Sequence, residues 1–123
     1  MRCPKCQSLM EKVPTKEGVV DRCTQCKGLW FEMLESEDLK AYASVVDVGD
    51  AELGARYNKV EDIKCPVCPN SKMLKMVDAL QPHIWFESCP TCYGRFFDAG
   101  EFRDVSERTL GDFIKKMSVK ARN

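Results

Sequence analysis

The chain has 123 residues and eight cysteines, which fall into four pairs with two residues between the members of each pair. The first and second pairs are 16 residues apart, and the third and fourth are 20 residues apart. Two pairs at this spacing can present four thiolates tetrahedrally to one metal ion, most commonly zinc. The pattern therefore predicts two structural Zn²⁺ ions per chain. The predicted ligands are Cys3, Cys6, Cys23 and Cys26 for one ion and Cys65, Cys68, Cys89 and Cys92 for the other.

Disulfide bonds and iron are the alternatives to zinc. Four disulfides would require an oxidising compartment, but Met1 and Arg2 lead directly into the first cysteine and leave no room for a signal peptide. No apolar stretch reaches the roughly 18 residues of a membrane span. We therefore expect a cytoplasmic protein with no membrane partner. Iron also accepts four thiolates from paired cysteines, so iron stays open beside zinc.

The cysteines divide the chain into two small units of similar design. A unit of about 35 residues is below the roughly 40 at which a hydrophobic core alone usually holds a fold. Structural zinc contributes on the order of 10 kcal/mol in such units, as much as the net stability of many whole domains. Both units are therefore expected to unfold without metal.

The repeat extends beyond the ligands. Residues 26–32 match residues 92–98 position by position, including Gly28 and Gly94. Glycine adopts positive φ without steric cost, so we expect these two glycines to have positive φ and to close the turn around the metal. Aromatic pairs follow, and an extended segment would place one ring of each pair on each face as core packing. These pairs are Trp30 with Phe31 and Phe96 with Phe97.

These motifs resemble the transcription factor IIB-type zinc ribbons of bacterial proteins. That family combines a Cys-Pro-x-Cys knuckle, a β-hairpin, a Cys-x-x-Cys-x-Gly knuckle, an aromatic residue, an acidic residue and a short helix start. The second copy matches closely through residues 96–102, whereas residues 33–39 of the first copy depart from the helix start. The resemblance implies two tandem zinc-binding modules. The family name also suggests a role in transcription.

The remaining pattern predicts hairpins and helices. Strands are expected at 9–13 and 19–23 around a turn at 14–18, with a second hairpin that turns near 81–83. Apolar residues with helical spacing predict helices between the ribbons and in the tail. The helical positions are Leu39, Tyr42, Ala43 and Val46, then Leu53, Tyr57 and Val60, then Leu110, Phe113, Ile114 and Met117.

The predicted fold class is a small α+β, metal-stabilised protein with two zinc-ribbon β-hairpin modules and short helices between and after them. The predicted units are zinc ribbon 1 (1–34), a helical connection (35–63), zinc ribbon 2 (64–102) and a C-terminal helix (103–123).

Charge argues against nucleic acid as the first choice of partner. The formal net charge is zero, and two zinc ions with four thiolates each would bring it to about −4. Nucleic-acid binding depends strongly on neutralised phosphates. The first ribbon nevertheless carries a basic cluster that could override the total. The candidate nucleic-acid contacts are Lys5, Lys12, Lys16, Arg22 and Lys27.

Catalysis is not expected. A catalytic zinc needs an open coordination position, whereas both quartets close the metal with sulfur. His83 is the only histidine, and no serine or free cysteine lies beside it in the sequence as a nucleophile. We therefore predict a structural zinc protein that acts as an interaction module. Its partner is expected to be another protein, bound through an apolar surface at the Trp85 hairpin, with nucleic-acid binding as the alternative.

Overall fold

The computed structural model describes residues 1–33, 36, 39–77 and 84–106. Within these ranges the strands are β1 (Met10–Thr15), β2 (Gly18–Cys23), β3 (Leu29–Phe31), β4 (Leu74–Val77), β5 (Trp85–Ser88) and β6 (Arg95–Phe97). They form one antiparallel sheet in the order β1-β2-β3-β6-β5-β4. Each ribbon contributes three strands, and β3 pairs with β6. The two ribbons therefore share a single sheet.

The first hairpin is tighter than the sequence predicts. Pro14 and Thr15 were expected in the turn, but both lie in β1, where Thr15 pairs with Gly18 across a two-residue turn. Proline is tolerated there because β1 is an edge strand and needs no N–H on its free side. The predicted turn of the second hairpin at 81–83 lies outside the described residues.

Short helices lie between the ribbons, as predicted. A 3₁₀ turn (Lys40–Tyr42) leads into α1 (Ala43–Val46), and α2 (Ala51–Asn58) follows. The Asp50 side chain accepts a hydrogen bond from the Leu53 N–H at 2.7 Å, which caps α2. Residues 101–106 are helical, and the rest of the predicted tail helix lies outside the described residues. No helix in the described part of the chain is both long and apolar enough to cross a membrane.

The two faces of the sheet carry two separate cores. As expected for extended segments, the aromatic pairs divide between the faces: Trp30 and Phe96 face the cysteines, and Phe31 and Phe97 face the helices. The helix-side core also contains Leu29, Leu39, Val46, Ile84, Phe86, Phe102 and Val105. Because residues of both ribbons contribute to each core, the cores belong to the whole molecule.

A buried carboxylate joins the helical connection to the second ribbon. Asp47 follows α1 and has no exposed surface. Its side chain accepts hydrogen bonds from the Gly100 and Arg103 N–H groups, both at 2.8 Å. These N–H groups lie at the start of the helical residues 101–106, where a carboxylate is favourable. Burial raises the pKa of Asp47, although these backbone hydrogen bonds oppose the increase.

Candidate metal centres and the contact between the ribbons

The first cysteine quartet is assembled by two turns. Cys3 and Cys6 lie in the turn that precedes β1, and Cys23 and Cys26 lie where β2 ends. The Sγ atoms of Cys3 and Cys26 are 3.7 Å apart, and those of Cys6 and Cys23 are 3.4 Å apart. All four sulfurs lie within 4.8 Å of one another.

The second quartet repeats this arrangement. Its four sulfurs also lie within 4.8 Å of one another, and the Sγ atoms of Cys65 and Cys92 are 3.7 Å apart. A zinc ion bonded to four sulfurs at about 2.3 Å sets them about 3.8 Å apart. A disulfide would need about 2.05 Å. Both quartets therefore fit one tetrahedral metal ion each, and the described sulfurs form no disulfides.

Backbone N–H groups in the knuckles point at the sulfurs. Cys65 Sγ accepts from the N–H groups of Val67 and Cys68 at 3.4 and 3.2 Å. Cys89 Sγ accepts from Thr91 and Cys92 at 3.4 and 3.5 Å. Such donors stabilise negative charge on sulfur, so each knuckle is arranged for thiolate rather than thiol.

In the absence of metal, the thiols of one quartet have very different pKa values. A hydrogen bond from Cys26 lowers the pKa of Cys3 to about 5, and the same contact together with burial raises the pKa of Cys26. Burial raises the pKa of Cys65 to about 12. Burial also opposes ionisation of Cys89, but N–H donors together with the neighbouring thiols outweigh it and lower its pKa to about 6. A metal ion binds thiolates and not thiols, so loading each quartet with a divalent metal would release protons.

The glycines after the fourth ligands have a different role from the predicted one. Neither Gly28 nor Gly94 has positive φ; the residues before them do, with φ of 61° at Lys27 and 62° at Tyr93. A Cβ added to Gly28 would overlap the ring of Phe96, and one added to Gly94 would overlap the ring of Trp30. Each glycine therefore leaves space for the aromatic ring of the other ribbon.

Lys5 is not a surface residue, contrary to the prediction that placed it among the nucleic-acid contacts. Its side chain has no exposed area, and its ammonium lies 2.7 Å from both Glu87 Oε1 and Asp98 Oδ2. It also donates to the Tyr57 carbonyl at 3.0 Å and lies 5.7 Å from the centre of the Phe96 ring. Lys5 therefore links the first ribbon to the second.

The other predicted contact residues do not form one basic surface. Lys12 pairs with Asp21 at 3.1 Å, and Arg22 pairs with Glu11 at 2.9 Å while donating to the Val46 carbonyl at 3.1 Å. Lys16 is exposed in the β1–β2 turn, and Lys27 is partly buried beside the second knuckle of its ribbon. Trp85 is 39% exposed on β5. Only Lys16 in the predicted cluster is both exposed and without a described ion pair.

Glu87 and Asp98 are the important residues that the sequence reasoning missed. Both carboxylates are buried, and burial raises their pKa values although Lys5 opposes the increase. A signal existed in the repeat, because Asp98 aligns with Glu32 and Lys5 aligns with Val67. One copy has lysine where the other has valine. This difference indicates a contact that only one copy makes.

Comparison with known families agrees with the geometry of both quartets. The family model for transcription factor zinc-fingers of the TFIIB zinc-ribbon type matches residues 2–42 and residues 64–108, well over half of the chain. Searches of curated proteins and of solved structures give no significant match. The two matched ranges each contain one complete quartet. The chain therefore belongs to the TFIIB-type zinc-ribbon family and carries two tandem copies of its zinc-binding module.

Proposed function

We propose that this protein is a non-enzymatic module that binds another protein through the outer edge of β4, with which no second strand of the described residues pairs. The observation that carries the proposal is an apolar surface on the β4–β5 hairpin, which we call the β4 edge surface. Its four residues are 39–52% exposed. They are Leu74, Met76, Val77 and Trp85.

The two edges of the sheet differ in the features that discourage strand pairing. The β1 edge contains Pro14 and the charged residues Glu11 and Lys12, all of which oppose addition of another strand. Every residue of β4 is exposed, and only Lys75 among the four is charged. An extended segment of a partner could pair with the β4 backbone and place apolar side chains against both faces. This difference supports protein binding at β4.

The pairing of the basic residues favours a protein partner over nucleic acid. Lys5 is buried, and Lys12 and Arg22 already contact carboxylates. Fewer free cations mean fewer phosphate contacts, and these contacts supply most non-specific affinity. Nucleic-acid binding is the second candidate, and the family match together with exposed Lys16 supports it.

Two further parts of the proposal concern chemistry and location. Both quartets would surround zinc with four sulfurs and leave no position for a substrate or an activated water, which supports a structural role for the metal. Zinc thiolates persist in a reducing compartment, and this supports a cytoplasmic location.

Site-specific photo-crosslinking tests the proposal. A photoreactive residue at Met76 should crosslink to a protein in nuclease-treated native lysate, whereas the same residue at Lys16 should not. Leu74→Glu should abolish the crosslink from position 76, because a charge would be desolvated in an apolar interface. A Thr15→Glu change on the opposite edge serves as the matched control and should leave it unchanged. Protein crosslinks only from position 16, or none from position 76, would contradict the proposal.

The nucleic-acid candidate has a separate test. Zinc-loaded protein is titrated with a single-stranded and a double-stranded oligonucleotide at about 50 mM salt, where phosphate contacts are strongest. If this candidate holds, binding should weaken steeply with salt and should be lost in the Lys16→Glu, Lys27→Glu double variant. Absence of oligonucleotide binding at low salt would rule out the nucleic-acid candidate.

A further inference from the structure

The two cysteine quartets differ in how well the protein covers their sulfurs. In the first quartet only Cys6 is partly exposed, and Cys26 is 1% exposed. The equivalent residues of the second quartet are Cys68 and Cys92, and both are partly exposed. A reagent in solution can therefore reach two sulfurs of the second quartet but only one of the first.

A helix lies beside the first quartet and a groove lies beside the second. Burial, followed by the charges of all four sulfurs of the first quartet, raises the pKa of Tyr57 on α2, so this helix is close to that metal site. The groove beside the second quartet has a volume of about 240 Å³ and is lined by Trp30, Glu32, Met33, Val67 and Cys92. A water molecule takes about 30 Å³ of liquid, so hydrogen peroxide fits the groove and meets Cys92 there.

The partly exposed sulfurs also receive less stabilisation from the backbone. In the second quartet, N–H donors of the knuckles reach the buried sulfurs of Cys65 and Cys89. Pro69 follows Cys68 and has no N–H to donate. Hydrogen bonds that stabilise a thiolate also lower its nucleophilicity. Exposure and nucleophilicity therefore select the same two sulfurs, those of Cys68 and Cys92.

We propose that Cys68 and Cys92 form an oxidation site that reacts with peroxides and releases the zinc ion of the second ribbon. The Cys92 thiolate attacks one peroxide oxygen, so an S–O bond forms, the O–O bond breaks and hydroxide leaves. The Cys68 thiolate then attacks the Cys92 sulfur, so the S–S bond forms and the S–O bond breaks with loss of a second hydroxide. The two sulfurs give up two electrons, which reduce hydrogen peroxide to these two hydroxide ions.

The geometry of the quartet allows this reaction and explains the loss of metal. The sulfurs of Cys68 and Cys92 lie within 4.8 Å of each other, and a disulfide needs about 2.05 Å. The disulfide leaves the zinc ion with Cys65 and Cys89, half of the four ligands that a structural site requires. The second ribbon contains β4, so loss of its metal should also remove the β4 edge surface. This last consequence rests on the proposed function, whereas the oxidation itself does not.

Mapping of the first disulfide tests the proposal. The zinc-loaded full chain is treated with less than one equivalent of hydrogen peroxide, and the remaining thiols are alkylated before digestion with trypsin. Cleavage after lysine and arginine places Cys68 in peptide 65–72 and Cys92 in peptide 76–95. We expect a disulfide that joins these two peptides, assigned by fragmentation to Cys68 and Cys92, together with zinc release to a colorimetric chelator. A disulfide within the first quartet, or between Cys89 and Cys92 in one peptide, would overturn the proposal.

A variant that keeps all eight ligands tests the route through the groove. Val67→Phe places a larger side chain in the groove and should slow peroxide-driven zinc release several-fold, because thiol oxidation follows exposure. Val19→Phe is the matched control, since Val19 and Val67 are both 46% exposed and Val19 lies in the first hairpin. Both variants should contain two zinc ions before treatment. Zinc release from Val67→Phe at the wild-type rate would refute access through the groove.

Met33 is a competing target, because it also lines the groove and is 58% exposed. Addition of one oxygen to Met33 with both zinc ions retained would show that peroxide reaches the groove without attacking the metal site, and the proposal would fail.

The crosslink from position 76 connects oxidation to partner binding. It should disappear from peroxide-treated protein and return after a thiol reductant and zinc are added. A crosslink that persists after zinc release would contradict the effect on β4. Absence of the crosslink from untreated protein would contradict the proposed function, whereas the disulfide map tests the oxidation site without a partner. Failure of one proposal is therefore distinguishable from failure of the other.

Discussion

Lys5 and Val67 occupy the same position in the first knuckles of the two ribbons, between cysteines of the same spacing. The Lys5 side chain is completely buried, whereas Val67 is 46% exposed. The difference arises from the surroundings, because α2 lies over the first position and supplies the Tyr57 carbonyl, while the second position faces an open groove. A near-symmetric pair of metal modules thus yields one internal contact and one free surface.

Loss of one metal site tests whether the ribbons are a single folding unit. The wild type should contain two zinc ions per chain by elemental analysis. Zinc contributes about 10 kcal/mol or more per site, which is comparable to the net stability of most domains. Because β3 pairs with β6 and both cores are shared, Cys89→Ser should remove the dispersed NMR signals of both ribbons. Thr91→Ser in the same knuckle should keep both zinc ions. A folded first ribbon with one zinc in Cys89→Ser would show that the modules are independent.

Substitution of Lys5 and of Val67 by methionine tests the difference between the two first knuckles directly. Lys5→Met leaves Glu87 and Asp98 buried without their cation, and such a loss costs about 3–5 kcal/mol. Val67→Met changes a surface position and should alter the free energy of unfolding by less than about 1 kcal/mol. Chemical denaturation of the zinc-loaded proteins measures both. Equal effects would mean that the Lys5 contact contributes nothing specific.

Substitution of the two glycines should lower stability by similar amounts, unlike substitution of Lys5 and Val67. Gly28→Ala forces a methyl group into Phe96, and Gly94→Ala forces one into Trp30. Overpacking of this kind costs about 1–3 kcal/mol, so both variants should be destabilised by similar amounts. Chemical denaturation of the two zinc-loaded variants compares the losses. A large effect at only one glycine would contradict the equivalence of Gly28 and Gly94 in the two ribbons.

The smallest effect is a pH dependence that arises from Glu101. Burial raises the pKa of Glu101 to about 8, and the nearby carboxylates of Asp98 and Glu87 add to the increase. A carboxyl group with a raised pKa binds its proton more tightly in the folded state, so stability falls as pH rises from about 4.5 towards 8. Unfolding of the zinc-loaded protein also returns protons to the ligand thiolates, and this raises stability with pH in the wild type and in its variants alike. The contribution of Glu101 is therefore measured as the difference in thermal midpoint between wild type and Glu101→Gln from pH 6 to pH 9.

Glu101→Gln has no such proton, so the wild type should lose stability relative to this variant as the pH rises over this range. At pH 9 the variant should be more stable than the wild type by about 1 kcal/mol, since part of the group remains solvated. Identical pH profiles would show that Glu101 is not the group responsible. Glu32→Gln, at an exposed carboxylate, is the control and should follow the wild type.

Much of the local structure was readable from the sequence. The eight ligands, the hairpin strands and the division of the aromatic pairs between two faces follow from cysteine spacing and from the period of two in a strand. Each of these features depends on residues close together in the chain, or on cysteines whose spacing identifies which four bind one metal ion.

The joining of the ribbons was decided only by tertiary structure. The Lys5 ammonium binds Asp98, 93 residues further along the chain, and a lysine in isolation looks like a surface cation. The prediction of positive φ at Gly28 and Gly94 is wrong, because what requires glycine there is the aromatic ring of the opposite ribbon. The spacing of the cysteines fixes metal ligation, because a tetrahedral metal ion constrains the two knuckles of a ribbon wherever that ribbon lies in the fold. Which surfaces then become buried depends on the pairing of β3 with β6, because this pairing brings the aromatic residues of the two ribbons together.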